Sequence, residues 1–71
     1  MRKYLKKLRE SADMTQEDVS KHLEISRAYY VRIENGERQK DLDLSIVIKL
    51  SELFNVTVDW IAEQEKKYTA A

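Results

Sequence analysis

The chain has 71 residues, with 13 Lys and Arg balancing 13 Asp and Glu. That is one small domain of zero net charge, with no room for a catalytic domain beside a recognition domain. It contains no cysteine, which excludes disulfides and cysteine-based zinc chemistry. No apolar run has membrane-spanning length, and the first ten residues carry no signal-peptide core. The expectation is a cytoplasmic chain whose small core is packed efficiently or shared with a second subunit.

With no proline and one glycine, helices need not be broken, and an all-α, compact five-helix bundle is expected. The first helix covers Arg2 to Ala12, with Leu5, Leu8 and Ala12 on one face. Lys3, Lys6 and Lys7 read either as a solvated face or as a site where one lysine touches a flanking phosphate. Asp13 and Met14 form the link, with Met14 turned inward. Thr15 is placed to N-cap a second helix, and Glu17 and Asp18 suit the positive end of its dipole. Gln16, in the same turn, is placed to hydrogen-bond a phosphate. Val19 and Leu23 face inward, and Ser20 is small where two helices must cross. His22 is an exposed surface histidine with no second ligand at metal spacing.

Glu24-Ile25-Ser26 form a tight turn in which Ile25 fills the corner and Ser26 caps the third helix. At 3.6 residues per turn, Tyr30 and Ile33 point one way. Ala28, Val31, Arg32 and Asn35 point roughly the opposite way, with Arg27 at their edge. A helix packed down by an aromatic and an isoleucine, with guanidinium groups projecting, has the shape that enters a DNA major groove. Gly36 ends it as a left-handed C-cap. Glu37 to Leu42 form a polar loop in which Arg38 and Lys40 are within reach of phosphates.

Asp43 caps a fourth helix running to about Phe54, with Leu44, Val47, Leu50, Ser51 and Phe54 as its inward stripe. Ile46 and Leu53 lie about 100° round from that stripe. Two readings of them stay open: a partner surface, or scattered surface aliphatics. Asn55 breaks the helix, Thr57 caps a fifth, and Val56, Val58 and Ile61 complete the core. Trp60 is open between core and interface. From about Gln64 a frayed tail is expected, so the domain is residues 1–63 and the tail 64–71.

Charge is unevenly placed along the chain. Residues 1–40 hold ten Lys and Arg against seven Asp and Glu, whereas residues 41–71 hold three against six. Zero net charge at first argues against a phosphate-rich partner, but the basic surplus falls in the half containing the third helix. An enzyme finds no support, for there is no paired-carboxylate cleft, no cysteine, a lone histidine and no glycine-rich phosphate loop. No cofactor and no metal are expected.

Taken together, LKKLRESADMTQEDVSKHLEISRAYYVRIENGE and LSIVIKLSELFNVTVDWI resemble the phage-repressor and Cro-like helix-turn-helix proteins, the XRE family. The resemblance covers roughly Arg2 to Ala62. It implies a lambda-repressor-like domain whose third helix enters the major groove, usually as a two-fold dimer on a palindromic operator. By position it gives base-reading slots to Arg27, Ala28 and Arg32, with Tyr29 at their edge. It gives phosphate slots to Gln16, Ser26 and Asn35, with Arg38 and Lys40 in the following loop. Arg9 and Glu34 match a structural ion pair between the first and third helices. The chain departs from the family pattern in three places. Glu24 stands where glycine is usual and must adopt a left-handed conformation, at about 1 kcal/mol. Tyr30 replaces a small β-branched residue, and Leu42 sits where proline is common.

Guanidinium suits Arg27 and Arg32 to the paired acceptors of guanine. The alternative is an ion pair with a neighbour, such as Arg27 with Glu24, or contact with phosphate alone. Ala28 is small enough to admit a thymine methyl. The first functional reading is a sequence-specific double-stranded DNA-binding regulator, a repressor acting as a homodimer through its fourth and fifth helices. In the second, an antitoxin-like or partner-regulated module, Ile46, Leu53 and Trp60 hold a different protein instead of a second copy.

Overall fold

Short-range signals set most helix boundaries. The structure is a computed structural model that describes residues 1–38 and 41–70, so the expected contact from Lys40 lies outside the described residues. Five helices follow in order: α1 (Lys3–Ser11), α2 (Gln16–Leu23), α3 (Arg27–Asn35), α4 (Leu44–Phe54) and α5 (Val58–Ala70). Before α2, the Thr15 hydroxyl accepts from Asp18 N, and the Asp18 carboxylate accepts from Thr15 N, a reciprocal capping box. Ser26 accepts from Tyr29 N at the start of α3, and Thr57 accepts from Trp60 N at the start of α5. Asp43 holds the N-cap position of α4, but its side chain makes no cap hydrogen bond there. Gly36 ends α3 with φ 84°, where only glycine is unstrained.

The buried core is Leu5, Val19, Leu23, Tyr30, Ile33, Ile46, Leu50 and Ile61. Ile46 therefore belongs to the core, not to an outward face, and Leu53 is half-buried against it. Conversely, Leu44 is 67% exposed and Val58 is exposed, both expected inside. The inward arc of α4 is centred on Leu50, flanked by Ile46 and Leu53 on one side and by Val47 and Phe54 on the other. Seven of its eleven residues are large and apolar, so periodicity alone fits more than one stripe, and contact with α2 and α5 chooses between them. Ala12, at the end of α1, is exposed rather than packed.

α5 runs on through the segment expected as a frayed tail, as far as Ala70. Arg2 supplies the reason. It is fully buried and meets Glu65 through Nε to Oε2 at 3.0 Å and a second bond at 3.1 Å. The Tyr68 ring lies 4.8 Å from the same guanidinium. Tyr4 donates to Glu65 as well. Burial, and then that bond, hold the Tyr4 hydroxyl well above the usual phenol range.

A second buried fork joins α1 to α3, as the resemblance implied. Arg9 donates to both carboxylate oxygens of Glu34 at 3.0 Å each, and to Met14 O at 3.2 Å. Burial works to raise the Glu34 carboxyl. Hydrogen bonds and charge from Arg9, with help from Tyr30 and Gln16, outweigh it and hold the group below the usual carboxylate range. The Tyr30 hydroxyl beside it is pushed up, first by burial and then by Glu34. It stays protonated, buried, and without a well-aligned hydrogen bond.

Glu34 binds its proton less readily folded than unfolded. Its contribution to stability is complete above its unfolded value of about 4.3 and is lost as pH falls through the lower folded value. Asp18, lowered by its bonds to the Thr15 N–H and hydroxyl, acts in the same direction. Thermal melts between about pH 5 and about pH 2 are expected to show a falling midpoint. Glu34→Gln should flatten that acid limb while costing about 3 kcal/mol at neutral pH, because Arg9 loses its partner.

Candidate nucleic-acid interface

The α2–turn–α3 unit is built around one non-glycine turn residue. Glu24 takes φ 58°, ψ 40° at the C-cap of α2, the strained left-handed conformation expected of it. The turn is tied to α4 by Lys49, whose Nζ lies 3.3 Å from Leu23 O and 3.8 Å from a Glu24 carboxylate oxygen. Both partners of that ion pair are substantially exposed, so it is weak. The bond to the last carbonyl of α2 is the firmer tie. The sequence signal for it is a lone lysine in the middle of a mostly apolar helix.

α3 turns Tyr30, Ile33 and Glu34 into the protein and leaves Arg27, Ala28, Arg32 and Asn35 exposed. Tyr29 and Val31 are half-buried, and Tyr29 packs against the core. Among the described residues, neither Arg27 nor Arg32 makes a hydrogen bond or ion pair within the chain. The alternative pairing of Arg27 with Glu24 is absent, Glu24 lying nearest Lys49 instead. Two guanidinium groups thus project from a helix whose other side is fixed.

The expected phosphate-contacting residues flank that face at both ends. A shallow hollow lined by Arg9, Met14, Thr15, Gln16, Glu17 and Arg27 brings the start of α2 beside the start of α3. Gln16 Nε2 lies 3.4 Å from Glu34 Oε1, which orients the amide toward the buried fork. Ser26 is exposed beside it, its oxygen engaged by Tyr29 N. Asn35 and Arg38 are exposed at the far end of α3.

The three residues expected to meet a partner do not share a surface. Ile46 is in the core, and Leu53 lines a hollow with His22, Lys49 and Glu52. Trp60, 37% exposed, stands edge-on to Tyr4 with ring centroids 6.1 Å apart. An apolar groove exists elsewhere, between α4 and α5, lined by Leu42, Leu44, Val47, Val58, Ile61 and Ala62.

This capped helix pair, with a pinned turn and an exposed basic face on the second helix, defines a helix-turn-helix protein. A family model described as helix-turn-helix matches residues 5–61. The chain belongs to that family, of the phage-repressor and Cro-like type its sequence resembles. Among curated proteins, it is 51% identical over 45 residues to an uncharacterized HTH-type transcriptional regulator, YqaF, of Bacillus subtilis, across 63% of this chain and 59% of that protein. The control protein C.MunI of a Mycoplasma species is 41% identical over 58 residues, covering 72% of this chain and 78% of the other. The chain thus spans less than two thirds of the Bacillus relative. No solved structure gave a significant match. Among the described residues, no helix is long and apolar enough to cross a membrane.

Replacing the strained turn residue tests whether the geometry of the α2–α3 junction is as described. Glu24→Gly should raise the urea midpoint with an unchanged m-value, a gain of up to about 1 kcal/mol. A lower midpoint would mean that Glu24 contributes more through Lys49 than its backbone costs.

Proposed function

We propose that this protein is a sequence-specific double-stranded DNA-binding transcription regulator that lays α3 in the major groove. The observation carrying this reading is the pair Arg27 and Arg32, without a partner among the described residues and on the exposed side of a helix clamped by Tyr30, Ile33 and Glu34. A guanidinium fork matches the O6 and N7 acceptors of guanine. Ala28 between them admits a thymine methyl, and Tyr29 borders the set. Gln16, Ser26, Asn35 and Arg38 hold flanking phosphates and fix the register. The HTH-type name of the Bacillus relative points the same way.

We further propose a homodimer on a palindromic operator, acting as a repressor. The longest dimension of the domain is 28 Å. One copy therefore spans less than a DNA turn of about 34 Å and reads one half-site. The contact surface is the α4–α5 groove with Leu44 and Val58 at its rim, in place of Ile46 and Leu53. Burying an exposed leucine against a twin contributes about 1.5–3 kcal/mol on each side.

Selection of bound duplexes from a random pool gives the site. On it, Arg32→Ala should weaken binding by about 1–3 kcal/mol and relax preference at one base pair. Arg38→Ala should weaken all duplexes alike and lower the salt slope by about 1. Equal losses across all sequences for both variants would contradict these roles. In sedimentation, Leu44→Glu should shift the dimer to monomer. A wild-type monomer that ignores every duplex yet captures one other protein would instead favour the partner-regulated module.

A further inference from the structure

We propose that Arg2, held by Glu65, is a positioning residue for the DNA-contacting end of α3 and the loop that follows it. This rests on the reading of α3 as the DNA-reading helix. Arg2 is fully buried, and its partners come from three separate parts of the chain. Its backbone N–H donates to Glu34 O at 2.7 Å. Its guanidinium donates through one terminal nitrogen to Ile33 O at 2.7 Å and to Arg38 O at 3.3 Å. The remaining nitrogens form the fork with Glu65 on α5.

The last carbonyls of a helix have no partner within it and carry the negative end of its dipole. Arg2 occupies that end of α3, taking two of its last four carbonyls and reaching into the loop as far as Arg38. Only a planar, multiply donating cation can meet a carboxylate on one edge and backbone carbonyls on another. A lysine in its place has one donor centre and cannot span both. Tyr68 closes the arrangement from α5: a Cβ added at Gly36 would collide with its hydroxyl. The residues fixed in this way are those next to Asn35 and Arg38, whose phosphate contacts set where Arg32 meets the bases. Burying an ion pair gains little stability over an apolar pair of similar shape. Fixing orientation, by contrast, requires the directional bonds that only the ion pair supplies.

The test uses the full chain with Glu65→Gln and Arg2→Lys, at a temperature where circular dichroism shows both folded. Amide exchange at Gly36, Glu37 and Arg38, which donate to carbonyls of α3, should quicken about fivefold or more, with α2 unchanged. Affinity for the selected duplex should fall about tenfold, while that for a scrambled duplex changes less than about twofold. Removal of a negative charge alone would tighten both duplexes, the opposite direction for the selected site. Wild-type exchange at residues 36–38, or a lower melting temperature with an unchanged affinity ratio, overturns the proposal. If the wild-type chain discriminates no duplex at all, the DNA reading fails, and the exchange rates still decide whether Arg2 and Glu65 fix this segment.

Discussion

The architecture depends on how α3 is held, and charge holds it as much as apolar contact does. Tyr30 and Ile33 seat the helix on the core, but neither fixes its rotation or its slide along its own axis. Glu34 does so from one side, through two hydrogen bonds from Arg9. Hydrogen bonds are directional where apolar contact is not. With the inner side fixed, Arg27 and Arg32 have no acceptor left within the chain among the described residues. Their availability follows from the seating of the helix, not from their own contacts.

The other helices divide the remaining work by position. α2 packs against α3, and its small Ser20 is buried. α4 closes the core from below and reaches the turn through Lys49. α5 covers the end of α3 and shares the apolar groove with α4. A domain of this size has few apolar residues to spare. Leaving Leu44 and Val58 exposed therefore costs core that the chain could have used, which is consistent with a surface completed by a second copy.

What could be read from the sequence divides by distance along the chain. Thr15, Ser26, Thr57 and Gly36 act on backbone within three residues or so, and their capping roles were legible. So were the inward direction of Tyr30 and Ile33 and the outward one of Arg27, Ala28, Arg32 and Asn35, which fall on opposite sides at helical period. The inward stripe of α4 is not legible in the same way, because Leu44, Ile46, Val47, Ile48, Leu50, Leu53 and Phe54 leave its pattern nearly featureless. Arg2 gave no signal, since its carboxylate partner is 63 positions away and a terminal arginine normally reads as solvated. The family resemblance supplied the Arg9–Glu34 pair, which periodicity would have left as two surface charges. It carried no hint of Lys49 or of the Arg2–Glu65 fork.

The central claim, that the guanidinium side of α3 meets base edges in the major groove, is tested most directly by methylation interference on a selected duplex. Binding through α3 predicts that methyl groups at guanine N7, in the major groove, block the complex at two clusters one helical turn apart. Methyl groups at adenine N3, in the minor groove, should leave it intact. Interference confined to the minor groove, or none at either position, would contradict the claim.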